Sequence, residues 1–192
     1  GVNYQDTVTG MTPLLFCIRN KYYEDAISLI EMGADPNICC SRTLYSPLLE
    51  LCCETNGDTT VSEVKNQLIK HLVDYGSNIN YCISNATPLM GLCSSKNTEL
   101  CLFKYMLQNG ADLNVKFVQE DEYLHDCYKE NEMALNMALY KEKYEVVALF
   151  LENSPDTTDY SSWLADIVYR KKRNLDCLTE QEKKTFEFLE SY

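Results

Sequence analysis

Apolar side chains recur along the chain in short stripes with helical spacing, separated by polar punctuation. Ala26, Ile27, Leu29 and Ile30 form one stripe, and Leu68, Ile69, Leu72 and Val73 a second. Leu102, Phe103, Met106 and Leu107 form a third; Val146, Val147, Leu149, Phe150 and Leu151 form a fourth. Each predicts an amphipathic helix whose apolar side packs on its neighbours. Such residues read as core between stacked elements and not as the lining of a cofactor site.

Start and stop signals frame the stripes. Gly10-Met11-Thr12-Pro13-Leu14 opens the first unit and Gly33-Ala34-Asp35-Pro36-Asn37 closes it. Ser46-Pro47-Leu48-Leu49 pairs with Gly76-Ser77-Asn78-Ile79-Asn80, and Thr87-Pro88-Leu89-Met90 with Gly110-Ala111-Asp112-Leu113-Asn114. A weaker fourth pair runs from Met133-Ala134-Leu135-Asn136 to Asn153-Ser154-Pro155-Asp156. Thr or Ser supplies an oxygen for the free amides of a first helix, while Pro sits in its first turn, where no hydrogen bond is lost. The closing Gly can take a positive φ at the end of a second helix, which Ala or Leu could adopt only under strain.

These opening and closing motifs resemble those of the ankyrin repeat, over roughly residues 1–156. The resemblance implies an all-α solenoid of helix-turn-helix units with hairpin fingers, forming one domain over 1–192. Its repeats would cover 10–45, 46–86, 87–130 and 131–158, with a degenerate capping repeat over 159–192. In residues 1–9, Gly1-Val2-Asn3 resembles the tail of a preceding repeat. Trp163, Phe186 and Leu189 would cover the last apolar face.

Departures from the family pattern carry expectations of their own. The family's His after Pro-Leu is replaced here by Leu15, Leu49, Met90 and Asn136, which predicts a less stable array. Residues 54–62 read as a polar surface loop inserted between the two helices of the second unit. Residues 115–130 form an enlarged finger in which Phe117, Tyr123, Leu124 and Tyr128 alternate with Glu120, Asp121, Glu122 and Asp126. Either these aromatics form a binding edge, or Phe117 and Leu124 fold the loop back onto the helices.

Composition narrows the partners. With 17 Lys and Arg against 29 Asp and Glu, the 192-residue chain carries a formal charge of -12, the wrong sign for nucleic acid or an anionic membrane surface. The basic run Arg170-Lys171-Lys172-Arg173 reads as a solvated helix end. The 10 cysteines lie mostly in apolar helical patterns, as in Leu51-Cys52-Cys53, and read as small core residues in a reducing compartment. With no CxxC pair and only His71 and His125, no metal-ligand spacing is present. No apolar stretch reaches the roughly 20 residues that span a bilayer.

Signatures of catalysis are missing as well. The chain contains no glycine-rich phosphate loop, GxSxG or HExxH. Cys127 and His125, two residues apart, do not form a nucleophile and base pair. The chain is therefore expected to be a binding protein, not an enzyme, and to need no cofactor. By the geometry of the resembled family, the fingers are 37–45, 80–85 and 115–130. The partner-binding candidates are Arg42, Tyr45, Tyr81, Ile83, Phe117 and Tyr123 in the fingers, with Arg19 and Asn20 at the end of the first helix.

Divergent repeats, irregular insertions, 14 Tyr and abundant Cys and Asn resemble the ankyrin proteins of poxviruses, and more weakly those of intracellular bacteria. That resemblance implies a host-range or immune-evasion factor in the host cytoplasm. It would bind a host protein through its concave face and hairpin fingers and sequester it or present it for ubiquitination, with any ligase adaptor bound by a segment outside this chain. The alternatives are the recognition arm of a larger enzyme or bacterial effector, and a passive scaffold segment.

Overall fold

The computed structural model describes residues 1–53, 59–83, 86–95, 99–115, 134–141 and 143–153. Eight helices lie among them: α1 (Pro13–Arg19), α2 (Tyr23–Glu31), α3 (Pro47–Cys53), α4 (Thr59–Asp74), α5 (Pro88–Ser94), α6 (Leu100–Gln108), α7 (Ala134–Tyr140) and α8 (Tyr144–Asn153). The described residues are all-α, with no strand beyond one isolated antiparallel bridge between Ile83 and Ala86. The helices alternate in length: α1, α3, α5 and α7 each span 7 residues, and each is followed by a longer helix. The expected cap over 159–192, with Trp163, Phe186 and Leu189, lies outside the described residues, as does the enlarged finger from residue 116 onward.

Local chemistry accounts for the helix ends. The hydroxyls of Thr12, Ser46 and Thr87 accept from the amides of Leu15, Leu49 and Met90 at 3.2, 3.2 and 3.3 Å. Pro13, Pro47 and Pro88 follow, where a missing amide costs nothing. At the far ends of α2, α4 and α6, Gly33, Gly76 and Gly110 turn the chain with φ of +89°, +86° and +87°. The next amides, of Ala34, Ser77 and Ala111, each return 2.9–3.0 Å to a helix carbonyl.

Two compact units divide the chain, Gly1–Met137 and Ala138–Tyr192. In the first, α1 packs on α2, α3 on α4 and α5 on α6, while α3 also lies against α1 and α5, and α2 against α4. Each helix pair thus buries its apolar side against the next pair as well as within itself. Leu48, Leu49, Leu68, Leu72 and Phe103 are completely enclosed. In the second unit, α8 buries Tyr144, Val146, Val147, Leu149, Phe150 and Leu151, and the Lys143 amide closes the turn before it on Ala138 O at 2.8 Å.

Several sequence expectations need correction. Thr59 to Ser62 belong to α4, so the insertion over 54–62 is not wholly a loop. Further along α4, Val64 is half-buried and Leu68 and Leu72 are buried, one helical turn apart, so the apolar stripe begins well before Leu68. Ile27, Leu29, Val73 and Leu107 are half-buried at the edges of their stripes. Cys40, Cys52 and Cys93 are buried as expected, but Cys82, in the third finger, and Cys101, in the first turn of α6, are exposed.

Ser77 occupies the position after the turn glycine that Ala34 and Ala111 fill in the neighbouring units. Its hydroxyl is buried without a hydrogen-bond partner. Ser77→Ala is expected to raise stability by about 1 kcal/mol, because it removes a desolvated group that nothing compensates. A rise in the urea midpoint at unchanged slope is the result to look for, and a fall would show that the hydroxyl is satisfied.

Candidate functional site

Three asparagines fix how successive turns sit beside one another. Asn37 donates from Nδ2 to Gly76 O at 3.0 Å and accepts at Oδ1 from the Asn78 amide at 2.8 Å. Asn80 repeats the pattern on Gly110 O and the Asp112 amide, both at 2.8 Å. Asn3 does the same with Gly33 O at 3.4 Å and the Asp35 amide at 2.7 Å. Each asparagine bridges from its own turn to the next, and the side chain must donate and accept at once. Only an amide does both in this geometry.

The segments leaving these turns form fingers. In the first, the Asp6 amide donates to Met11 O at 2.9 Å and the Gly10 amide to Asp6 O at 2.8 Å. In the second, the Cys40 amide donates to Tyr45 O at 3.0 Å and the Leu44 amide to Cys40 O at 2.7 Å. The two tips are therefore the same turn, set side by side by a 2.9 Å bond from the Ser41 amide to Gly10 O. Asp6 Oδ1 accepts from the Val8 and Thr9 amides and from the Thr9 hydroxyl. The Thr9 bonds hold its carboxyl below the usual range. Cys40 occupies the equivalent position. Burial raises its thiol, but bonds from Thr43 and the Arg42 amide, with the Arg19 charge nearby, outweigh that and lower it.

Arg19 ties the second finger to the helices. Its Nε lies 2.7 Å from Glu50 Oε1 and its Nη2 3.1 Å from Glu50 Oε2, a bidentate pair, while Nη2 also reaches Thr43 Oγ1 at 3.0 Å. Nη1 lies 3.5 Å from Met11 Sδ. One guanidinium thus joins the end of α1, the first turn of α3 and both fingers. Arg19→Ala is expected to lower stability by about 1 kcal/mol, since the pair is only partly shielded from water. Glu50→Ala should lose a similar amount, and the double variant little more than either alone. Fully additive losses in urea melts would show that the pair is not coupled.

Of the described candidates, Arg19, Arg42, Tyr45 and Tyr81 lie in or bond to this second finger. Arg42 is exposed at its tip, close enough to lower the Asp6 carboxyl by its charge. Tyr45 is half-buried at its base, and Tyr81 donates from its hydroxyl to Leu44 O at 2.6 Å. Asn20 is exposed just past α1 and donates from Nδ2 to Phe16 O at 2.8 Å. Ile83 is half-buried and exchanges backbone bonds with Ala86 at 3.3 and 2.9 Å. Phe117 and Tyr123 lie outside the described residues. Arg19 and Tyr81 thus have their polar groups engaged within the chain.

Arg42 and Asn20 face solvent, and so do large apolar side chains that were not among the candidates. Val8 at the first tip is 69% exposed, Leu44 at the second 52%, and Phe16 on α1 50%. Periodicity alone did not separate Phe16 from Leu14, Leu15 and Ile18, which take the buried side of the same short helix. The signal for Val8 and Leu44 was their place between turn-forming residues. Among the described residues no three His, Cys, Asp or Glu side chains gather as a metal ion would require, and no helix is long and apolar enough to cross a membrane.

Comparison with protein-family models and with curated proteins finds no match to this chain.

Proposed function

We propose that the chain is an ankyrin-repeat binding module that grips another protein with its finger tips and the outward side of its first helices. The observation that carries this reading is the threefold recurrence of one hydrogen-bond unit at Asn3, Asn37 and Asn80, because a bridge repeated from turn to turn is what a stack of like repeats requires. Val8 and Leu44 at the tips and Phe16 on α1 support the binding half: exposed large apolar side chains supply contact area for a partner. The surface chemistry favours a protein ligand over nucleic acid, given the charge of -12. In the wider reading the partner is a host protein in the cytoplasm, bound by a viral host-range or immune-evasion factor and sequestered or presented for ubiquitination. That part rests on the resemblance to poxvirus ankyrin proteins alone.

Site-specific photocrosslinking tests the surface. A photoreactive residue at position 16 or 44 should trap the same protein from mammalian cytosol, while one at position 32, where Met32 is exposed at the end of α2, should not. Equal trapping from all three positions would reject the proposed face.

A further inference from the structure

Leu44 has a backbone conformation that its side chain disfavours. Its φ is +59°, while Gly10 fills the corresponding corner of the first finger with φ +73°. The two corners share the same amide-to-carbonyl bond, from Gly10 to Asp6 and from Leu44 to Cys40. Glycine adopts this conformation freely, but a leucine is strained there and persists only where its surroundings dictate it. Burial does not compensate, since half of the Leu44 surface faces water.

We propose that the second finger is preloaded: the Tyr81 hydroxyl, bonded to Leu44 O, holds Leu44 in its left-handed conformation and its side chain at the surface, making Tyr81 a positioning residue. The bond is short, 2.6 Å, and comes from a residue 37 positions away in the next finger, so it adds a tertiary restraint to a local turn that Gly10 satisfies without strain and Leu44 does not. The phenol is protonated and able to donate at physiological pH, as an ordinary tyrosine is, and its Cys39 neighbour, with burial, only raises its pKa further, to about 12. The Arg19 bond to Thr43 Oγ1 anchors the residue just before Leu44. The use of this finger in binding rests on the reading above: a tip already fixed in its exposed form loses less freedom on meeting a partner.

The test needs no partner, so its failure is separate from failure of the binding reading. A residue with positive φ shows a strong cross-peak between its own amide and Hα protons, and Leu44 of the whole chain should show it. Tyr81→Phe keeps the ring and removes the bond. It should weaken that cross-peak and speed exchange of the Leu44 amide by about tenfold, the effect of one lost hydrogen bond. Adding Leu44→Gly to Tyr81→Phe should bring exchange at position 44 back towards the wild-type rate, because glycine carries no strain there. An unchanged cross-peak and exchange rate in Tyr81→Phe would overturn the proposal, and so would failure of Leu44→Gly to rescue. Should Tyr81→Phe fail to fold, Leu44→Gly alone decides, with slower exchange at position 44 supporting preloading and an unchanged rate refuting it.

Discussion

Replacing Gly91 with valine is expected to destabilise the Gly1–Met137 unit by about 3 kcal/mol, at the upper end for overpacking a well-filled core. Gly91 is buried in α5 where that helix crosses α3. A Cβ there would lie 2.9 Å from Cys53 Sγ and 3.0 Å from both Cys52 C and Cys53 N. The thiol could rotate, but the two backbone atoms can retreat only if α3 moves. Alanine makes the same clash yet recovers about 1 kcal/mol of helix propensity, so Gly91→Ala should lose less, about 1–2 kcal/mol. Urea melts of the two variants give the order, and a stable Gly91→Val would show that the two helices have room to separate.

Asn37→Ala is expected to lower stability by about 2 kcal/mol, for the simultaneous loss of the bonds to Gly76 O and from the Asn78 amide. Water reaches both groups, which limits the loss. Asn37→Asp is the sharper comparison, because the carboxylate keeps the acceptor but turns a second oxygen towards Gly76 O, and it should recover little. Asn80→Ala should lose a similar amount, and the double variant roughly the sum, since each asparagine bridges a different pair of turns. Thermal or urea melts check this, and an Asn80→Ala variant as stable as the parent would remove the equivalence of the two positions.

Much of the fold was legible because its determinants are local. Thr12, Ser46 and Thr87 cap as their place before Pro predicts, and Gly33, Gly76 and Gly110 take the positive φ that the end of a helix requires. The early start of α4 was hidden because Thr59, Thr60 and Ser62 have the composition of a loop, although the Val61, Val64 and Leu68 spacing was present. Candidate residues were harder to judge. Arg19 and Tyr81 look free in the sequence, yet their partners Glu50 and Leu44 are 31 and 37 positions away. The repeated asparagines were visible as a motif, but their chemistry depends on backbone groups of the following turn.

Binding through the finger tips is tested most directly by capture from mammalian cytosol on the immobilised chain. The parent would be compared with a Val8→Ser, Arg42→Ala, Leu44→Ser variant whose thermal midpoint matches it, and with Met32→Ser as a surface control. The expected result is a protein retained by the parent and by Met32→Ser but lost from the triple variant. Retention of the same proteins by all three, or of none by the parent, would contradict it.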